Sequence, residues 1–177
     1  MTEDFFQQFE EAFPESVSFI TLPRNGVLIA AGQRERYSYF VLSGALRVVY
    51  KSESQAQIIR FGYEGSIITS LPAFFDDSPS LFDIIAIRKS EIKCLEKNAL
   101  FRFVESSPQY QKSYQLILQD LVRQQVEREI DLLISSPAER YQRVLARSPM
   151  LFQKIPAVHI ANYLRMTPEH LSRIRKS

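Results

Sequence analysis

Glu169 and Arg173 stand four residues apart near the C-terminus, a spacing that puts both on one face of a helix. A carboxylate so placed can accept from cytosine N4, and a guanidinium can make a two-pronged bond to guanine O6 and N7. His170, between them, is a third candidate for a base edge. Thr167, Ser172, Arg175 and Lys176 flank these residues, and Arg140, Arg143 and Lys154 precede them. Hydroxyls and cations of this kind suit phosphate oxygens. The plainer alternative is that Glu169 and Arg173 form an exposed ion pair within their own helix.

The helix that carries these side chains needs a start. Thr167 supplies an N-cap and Pro168 a first-turn residue, with Leu171 and Ile174 as the inner face. A short helix over residues 157–164 precedes it and is expected to bury Val158, Ala161 and Leu164, with His159 exposed. Residues 155–176 thus read as two short helices about a tight turn, the second shaped for a major groove.

Charge divides along the chain in the same sense. Residues 1–137 hold 14 Lys/Arg against 18 Asp/Glu, whereas residues 138–177 hold 8 Lys/Arg against only Glu139 and Glu169. The C-terminal part is therefore a candidate for contact with a polyanion. An ordinary solvated basic face would have the same composition, so charge alone does not decide.

Upstream, the hydrophobic period changes twice. Phe5, Phe6, Phe9 and Phe13 recur at helical spacing after Thr2, a candidate N-cap, and Pro14 ends that helix. From about residue 17 to 95 the period is two. Short β-rich runs at 27–30, 37–42, 45–50, 57–61, 84–87 and 91–95 alternate with turn signals such as Asn25-Gly26, Ser43-Gly44 and Glu64-Gly65. This pattern predicts an antiparallel sandwich or barrel of the jelly-roll kind.

A brief helix at 98–104 follows, and Ser107-Pro108 then opens a stretch without Gly or Pro up to Pro137. As a helix at about 1.5 Å per residue, it would be roughly 42 Å long. Its stripe of Tyr110, Tyr114, Ile117, Leu118, Leu121, Val122, Val126, Ile130 and Leu133 exceeds what a small barrel can cover. Packing on a twin helix, from Ile117 to Leu133, would give a parallel coiled-coil homodimer. A helix lying wholly on its own barrel is the alternative. Ser136-Pro137-Ala138-Glu139 caps the next helix. The expected fold class is α+β: a double-stranded β-helix barrel (1–106), a long dimerisation helix (107–135) and a small all-α domain with a helix-turn-helix (136–177).

Composition excludes several functions. The single Cys94 permits no intrachain disulfide, no cysteine-rich zinc site and no four-cysteine cluster. It reads as a small core residue, and a reducing, cytoplasmic location is expected. No apolar run approaches the roughly 20 residues of a membrane span, and the acidic start lacks a secretory signal. Both histidines, His159 and His170, lie in the C-terminal part. A His-rich metalloenzyme barrel is therefore not expected, and neither a catalytic residue nor a metal or cofactor is assigned.

Tyr39-Phe40-Val41-Leu42-Ser43-Gly44-Ala45-Leu46-Arg47-Val48 resembles the barrel signature of the Crp/Fnr transcription regulators. The capped Ser136-Pro137-Ala138-Glu139-Arg140-Tyr141 segment and residues 155–176 are similar to that family's domain junction and helix-turn-helix. The resemblance covers nearly the whole chain. It implies sequence-specific binding of double-stranded DNA by a dimer, with a small-molecule effector and RNA polymerase as further partners.

Departures from the pattern qualify what is carried over. In the cyclic-AMP receptor branch an Arg-Glu pair and a second Arg read bases. Glu169 and Arg173 match two of these, while Pro168 replaces the first Arg. Arg165 stands where the turn often has Gly, and no β-wing is expected after the last helix. In the sensor, the family's phosphate cassette has a Gly-Glu step and an Arg ten residues on. Here Thr69 and Ser70 fall on the step and Ser80 on the Arg, with Leu81 beside it. A phosphate buried without its cation costs several kcal/mol, so an effector at Thr69, Ser70, Ser80 and Leu81 is not expected to be cyclic AMP. A ligand-binding or interaction module of the same architecture that no longer binds DNA remains the alternative.

Overall fold

The structure, a computed structural model, describes residues 2–176, with side chains from Glu3 onward. The chain divides into two compact units, Met1–Leu118 and Gln119–Ser177, so the division falls inside the longest helix.

The first unit begins with helix α1 (Thr2–Ala12). Thr2 lies within this helix, and its side chain, expected as the N-cap, is outside the described residues. Phe5, Phe6 and Phe9 are buried, as their spacing predicts. Eight strands follow: β1 (Val17–Leu22), β2 (Val27–Ile29), β3 (Tyr37–Ser43), β4 (Ala45–Lys51), β5 (Ala56–Tyr63), β6 (Ile67–Ile68), β7 (Phe82–Ala86) and β8 (Ser90–Glu96). They form two four-stranded sheets, ordered β1-β8-β3-β6 and β2-β7-β4-β5, with all pairs antiparallel.

The core lies between the sheets and draws on both. Tyr39, Val41, Ile68, Ile92 and Cys94 come from one, and Ile29, Leu46, Val48, Ile84 and Ala86 from the other. This alternation is the period-two signal of the sequence. Cys94 is buried there, and burial pushes its thiol up to about 11, so it is an inert core residue.

Two helices continue the first unit. Helix α2 (Leu71–Asp76) interrupts the strands, where no helix was expected. Helix α3 (Lys97–Glu105) is capped by the Glu96 carboxylate, which accepts from the amides of Asn98 and Ala99 at 3.0 and 2.7 Å. The Phe103 ring of α3 gathers an aromatic cluster of Phe5, Phe9 and Tyr110, with centroids at 5.4, 5.5 and 4.1 Å.

Helix α4 (Pro108–Leu133) is the long helix. Ser107 caps it by accepting from the Gln109 amide at 3.2 Å. Tyr114 stacks on Phe5 at 6.0 Å, which explains the aromatic start of the α4 stripe. Ile117 and Leu121 are buried within the chain itself and Leu118 is half-buried, whereas Val122, Val126, Ile130 and Leu133 are exposed. The apolar row left open is therefore narrower than the sequence suggests.

The second unit holds the end of α4 and four short helices: α5 (Pro137–Arg147), α6 (Pro149–Lys154), α7 (Ala157–Tyr163) and α8 (Pro168–Ile174). Ser136 caps α5, its hydroxyl accepting from the Glu139 amide at 3.3 Å. Tyr141, Val144, Leu151, Ile155, Ile160, Ala161, Leu164 and Leu171 make the apolar interior of the unit. Val158, expected inside, is 54% exposed, and Ile160 takes its place. His159 is half-buried rather than exposed. Ala161 and Leu164 are buried as expected, so the inner face of α7 runs through Ile160, Ala161, Tyr163 and Leu164 and leaves Val158 at its N-terminal end in solvent.

Candidate nucleic-acid interface and sensor site

The α7–α8 pair is closed by backbone geometry. Met166 N–H donates to Ala161 O and Arg165 N–H to Asn162 O, each at 3.0 Å, the paired bonds of a Schellman cap. Arg165 occupies the left-handed position with φ of 54°, where glycine is the usual residue. The turn expected from sequence thus forms with an arginine in it.

Thr167 caps α8 by accepting from the His170 amide at 3.2 Å, and Pro168 fills the first turn. Leu171 is buried and Ile174 half-buried beneath the helix. Glu169, Ser172, Arg173, Arg175 and Lys176 are exposed, and His170 is half-buried. The structure therefore brings Glu169 and Arg173 together on the outward surface of one helix. The Glu169 carboxyl is held below its ordinary range by its own backbone N–H, then by the Thr167 hydroxyl, with Arg173 adding its charge. It is a pure acceptor at neutral pH. Lys154 is half-buried at the end of α6.

Arg140 requires correction as a phosphate contact, and Arg143 is half-exposed and ion-paired. Arg140 is only 8% exposed. Its guanidinium donates to Leu164 O at 2.5 Å and to Ile134 O at 2.8 and 3.2 Å. Arg143 pairs with Glu127 and, at 3.0 Å, with Asp131. Arg140 is thus engaged inside the unit, whereas Arg143 is ion-paired with its side chain 35% exposed. The basic composition of residues 138–177 suggests phosphate contacts because it records a charge, not where its side chain turns.

An ionic cluster gathered round buried Asp131, with no counterpart in the sequence expectations, explains this. Asp131, fully buried on α4, also receives two bonds from Arg147, at 2.6 and 2.8 Å. Beside it, Arg128 is 6% exposed, lies 3.7 Å over the Tyr163 ring and donates to Tyr163 O at 2.5 Å. Burial lowers the Arg128 pKa, opposed by Tyr163 and Asp131. Glu127 and Asp131 lie four apart on α4, as do Arg143 and Arg147 on α5, which is the only sequence signal for this pairing.

In the first unit, Ser70 and Ser80 are both buried, and their hydroxyls meet at 2.9 Å. Ser80 Oγ also lies 2.8 Å from Phe82 O and accepts from the Phe82 amide at 3.1 Å. Thr69 donates to Tyr37 O at 3.2 Å, and the Leu81 side chain is exposed. Ser70 and Ser80 are thus brought together, and Leu81 points away into solvent.

Glu35, which the sequence reading passed over, is 2% exposed. Its Oε1 accepts from Tyr39 Oη and the amides of Arg36 and Tyr37 at 3.0, 3.1 and 3.2 Å, while Oε2 makes no hydrogen bond. Burial raises its pKa; the Tyr37 amide, the Tyr39 hydroxyl and the Arg36 amide act against that.

Two facing antiparallel sheets, a long helix and a capped helical pair together have the architecture of the Crp/Fnr regulators. The chain belongs to the cyclic nucleotide-binding domain family, whose model matches residues 19–107. FixK2 from Bradyrhizobium japonicum shares its fold with a TM-score of 0.78 at 16% identity, covering 90% of this chain and 83% of that one. A CooA variant from Carboxydothermus hydrogenoformans gives a TM-score of 0.76 at 15% identity, over 93% and 77% of the two chains. The catabolite activator protein of Thermus thermophilus gives 0.58 at 17%, over 96% and 81%. A search of curated proteins finds no match. Among the described residues, no helix is long and apolar enough to cross a membrane.

Proposed function

We propose that the chain is a cytoplasmic, non-enzymatic transcription regulator that binds DNA as a homodimer. The observation that carries this reading is α8 itself, which is capped, seated on Leu171, and turns Glu169 and Arg173 outward on one face. In this role Glu169, His170 and Arg173 meet base edges. Thr167, Ser172, Arg175, Lys176 and Lys154 meet the phosphates on either side.

The exposed row Val122, Val126, Ile130 and Leu133 supports the dimer. These residues recur every three or four positions on one helix, the spacing of a helix–helix seam. Two copies joined there would present two α8 helices to successive major grooves, about 34 Å apart.

The family's ligand does not fit the sensor residues. A cyclic nucleotide brings a phosphate anion, yet the positions meant for its carboxylate and cation are two serines bonded to each other. The sensor in this reading answers to something else, or sets only the geometry of the dimer. Selection of bound duplexes from a random pool tests the proposal. Recovery of an inverted repeat with half-sites about one turn apart supports it. A pool that stays random after repeated rounds contradicts it.

A further inference from the structure

Helix α7 ends with four backbone carbonyls that no further turn of helix can take. Two are satisfied locally, Ala161 O by the Met166 amide and Asn162 O by the Arg165 amide. The other two, Tyr163 O and Leu164 O, accept from Arg128 and Arg140. Arg128 comes from α4 and Arg140 from α5, and both are buried. All four orphan carbonyls therefore have partners, half of them supplied from outside α7.

We propose that Arg128 and Arg140 are positioning residues of the reading unit: they complete the C-cap of α7 and so hold the turn that aims α8. This rests on the DNA-reading role of α8 given above. Neither guanidinium reaches the outward face, so neither reads DNA. The arrangement suits a turn closed by Arg165, whose φ of 54° an L-residue adopts only under constraint. Bonds from a charged donor are stronger than neutral ones, and the planar guanidinium of Arg128 is fixed on its other side by the Tyr163 ring. Arg140 adds two bonds to Ile134 O, tying the segment after α4 to α5. Buried Asp131 supplies the opposing charge. Apolar side chains could fill the same volume, but they would leave two carbonyls unpaired.

The test uses the full chain, Arg128→Met, and the milder Arg128→Lys, which keeps the charge and loses the planar fork. Amide hydrogen exchange at Arg165 and Met166, the donors of the cap, is read together with affinity for a selected duplex and a random duplex over a salt series. Arg128→Met is expected to speed exchange at both amides by at least about tenfold and to weaken the selected duplex by roughly tenfold. Random-duplex binding and the salt slope stay as in the parent, because no phosphate contact is lost. Arg165→Gly in the Arg128→Met background recovers part of the loss. Unchanged exchange at Arg165 and Met166 overturns the proposal, as does an equal loss for both duplexes. Arg128→Lys gives a smaller effect of the same kind, and decides the matter if the methionine variant does not fold. A parent chain that binds no duplex removes the DNA-reading role alone, since exchange at the cap still judges the arginines.

Discussion

Ser80 Oγ lies 2.9 Å from Ser70 Oγ, so the two residues that the Crp/Fnr resemblance sets at nucleotide-contact positions meet one another in the buried part of the first unit. A ligand that binds only the folded state at about a hundred times its Kd stabilises by about 2.7 kcal/mol. We expect millimolar cyclic AMP to leave the thermal midpoint unchanged. A reproducible rise would mean that the serine pair opens to accept a phosphate.

Glu35 gives the first unit a pH dependence of definite sign. Its folded pKa lies above the ordinary 4.5 because burial disfavours the carboxylate. Stability from this group is complete below that ordinary value and is lost as pH rises through the elevated one. Glu35→Gln should therefore flatten the denaturation midpoint above pH 4.5, where the parent declines as pH rises. Identical pH profiles for the two proteins would assign the dependence elsewhere.

Gly44 and Gly65 separate crowding from backbone strain. Both have positive φ, 95° and 83°, but a Cβ on Gly44 would sit 2.3 Å from Ser90 Oγ while one on Gly65 meets nothing within 4 Å. Gly65→Ala is expected to cost about 1 kcal/mol from conformation alone. Gly44→Ala should cost about 3 kcal/mol, since strain and overlap with the Ser90 backbone combine. Chemical denaturation of the two variants reads the difference, and equal losses would show that the strand β8 side yields freely.

The exposed α4 row makes a prediction about assembly. Val126→Asp or Leu133→Asp places a charge in the proposed seam without touching the interior of either unit. Sedimentation should show dissociation at concentrations where the parent is a dimer, with helix content retained. Ile117→Ala should instead lower stability by about 2–5 kcal/mol, because that side chain is already buried in its own chain. A monomeric parent would remove the seam.

The fold was legible because period two and helical period are local properties. The strands around Tyr39, Leu46 and Ile92 and the caps at Ser107, Ser136 and Thr167 announce themselves within a few residues. What was illegible depended on partners distant in sequence. Arg140 and Arg175 look alike as letters, yet one turns inward to Leu164 O and the other is exposed. Glu35 gave no signal because its burial comes from the packing of β3 and its neighbours. Ala161 and Leu164 were legible as inner residues of α7, whereas the exposure of Val158 depends on what packs against the start of that seven-residue helix.

The central claim is that α8 reads duplex DNA, and a salt titration of duplex affinity with the parent and Arg173→Ala measures it most directly. The account predicts that log affinity of the parent falls linearly with log salt concentration, with a slope of about −0.9 for each phosphate neutralised. Arg173→Ala should lose roughly 1–3 kcal/mol of preference for the selected duplex. Affinity indifferent to salt, or a preference unchanged by removing Arg173, would contradict it.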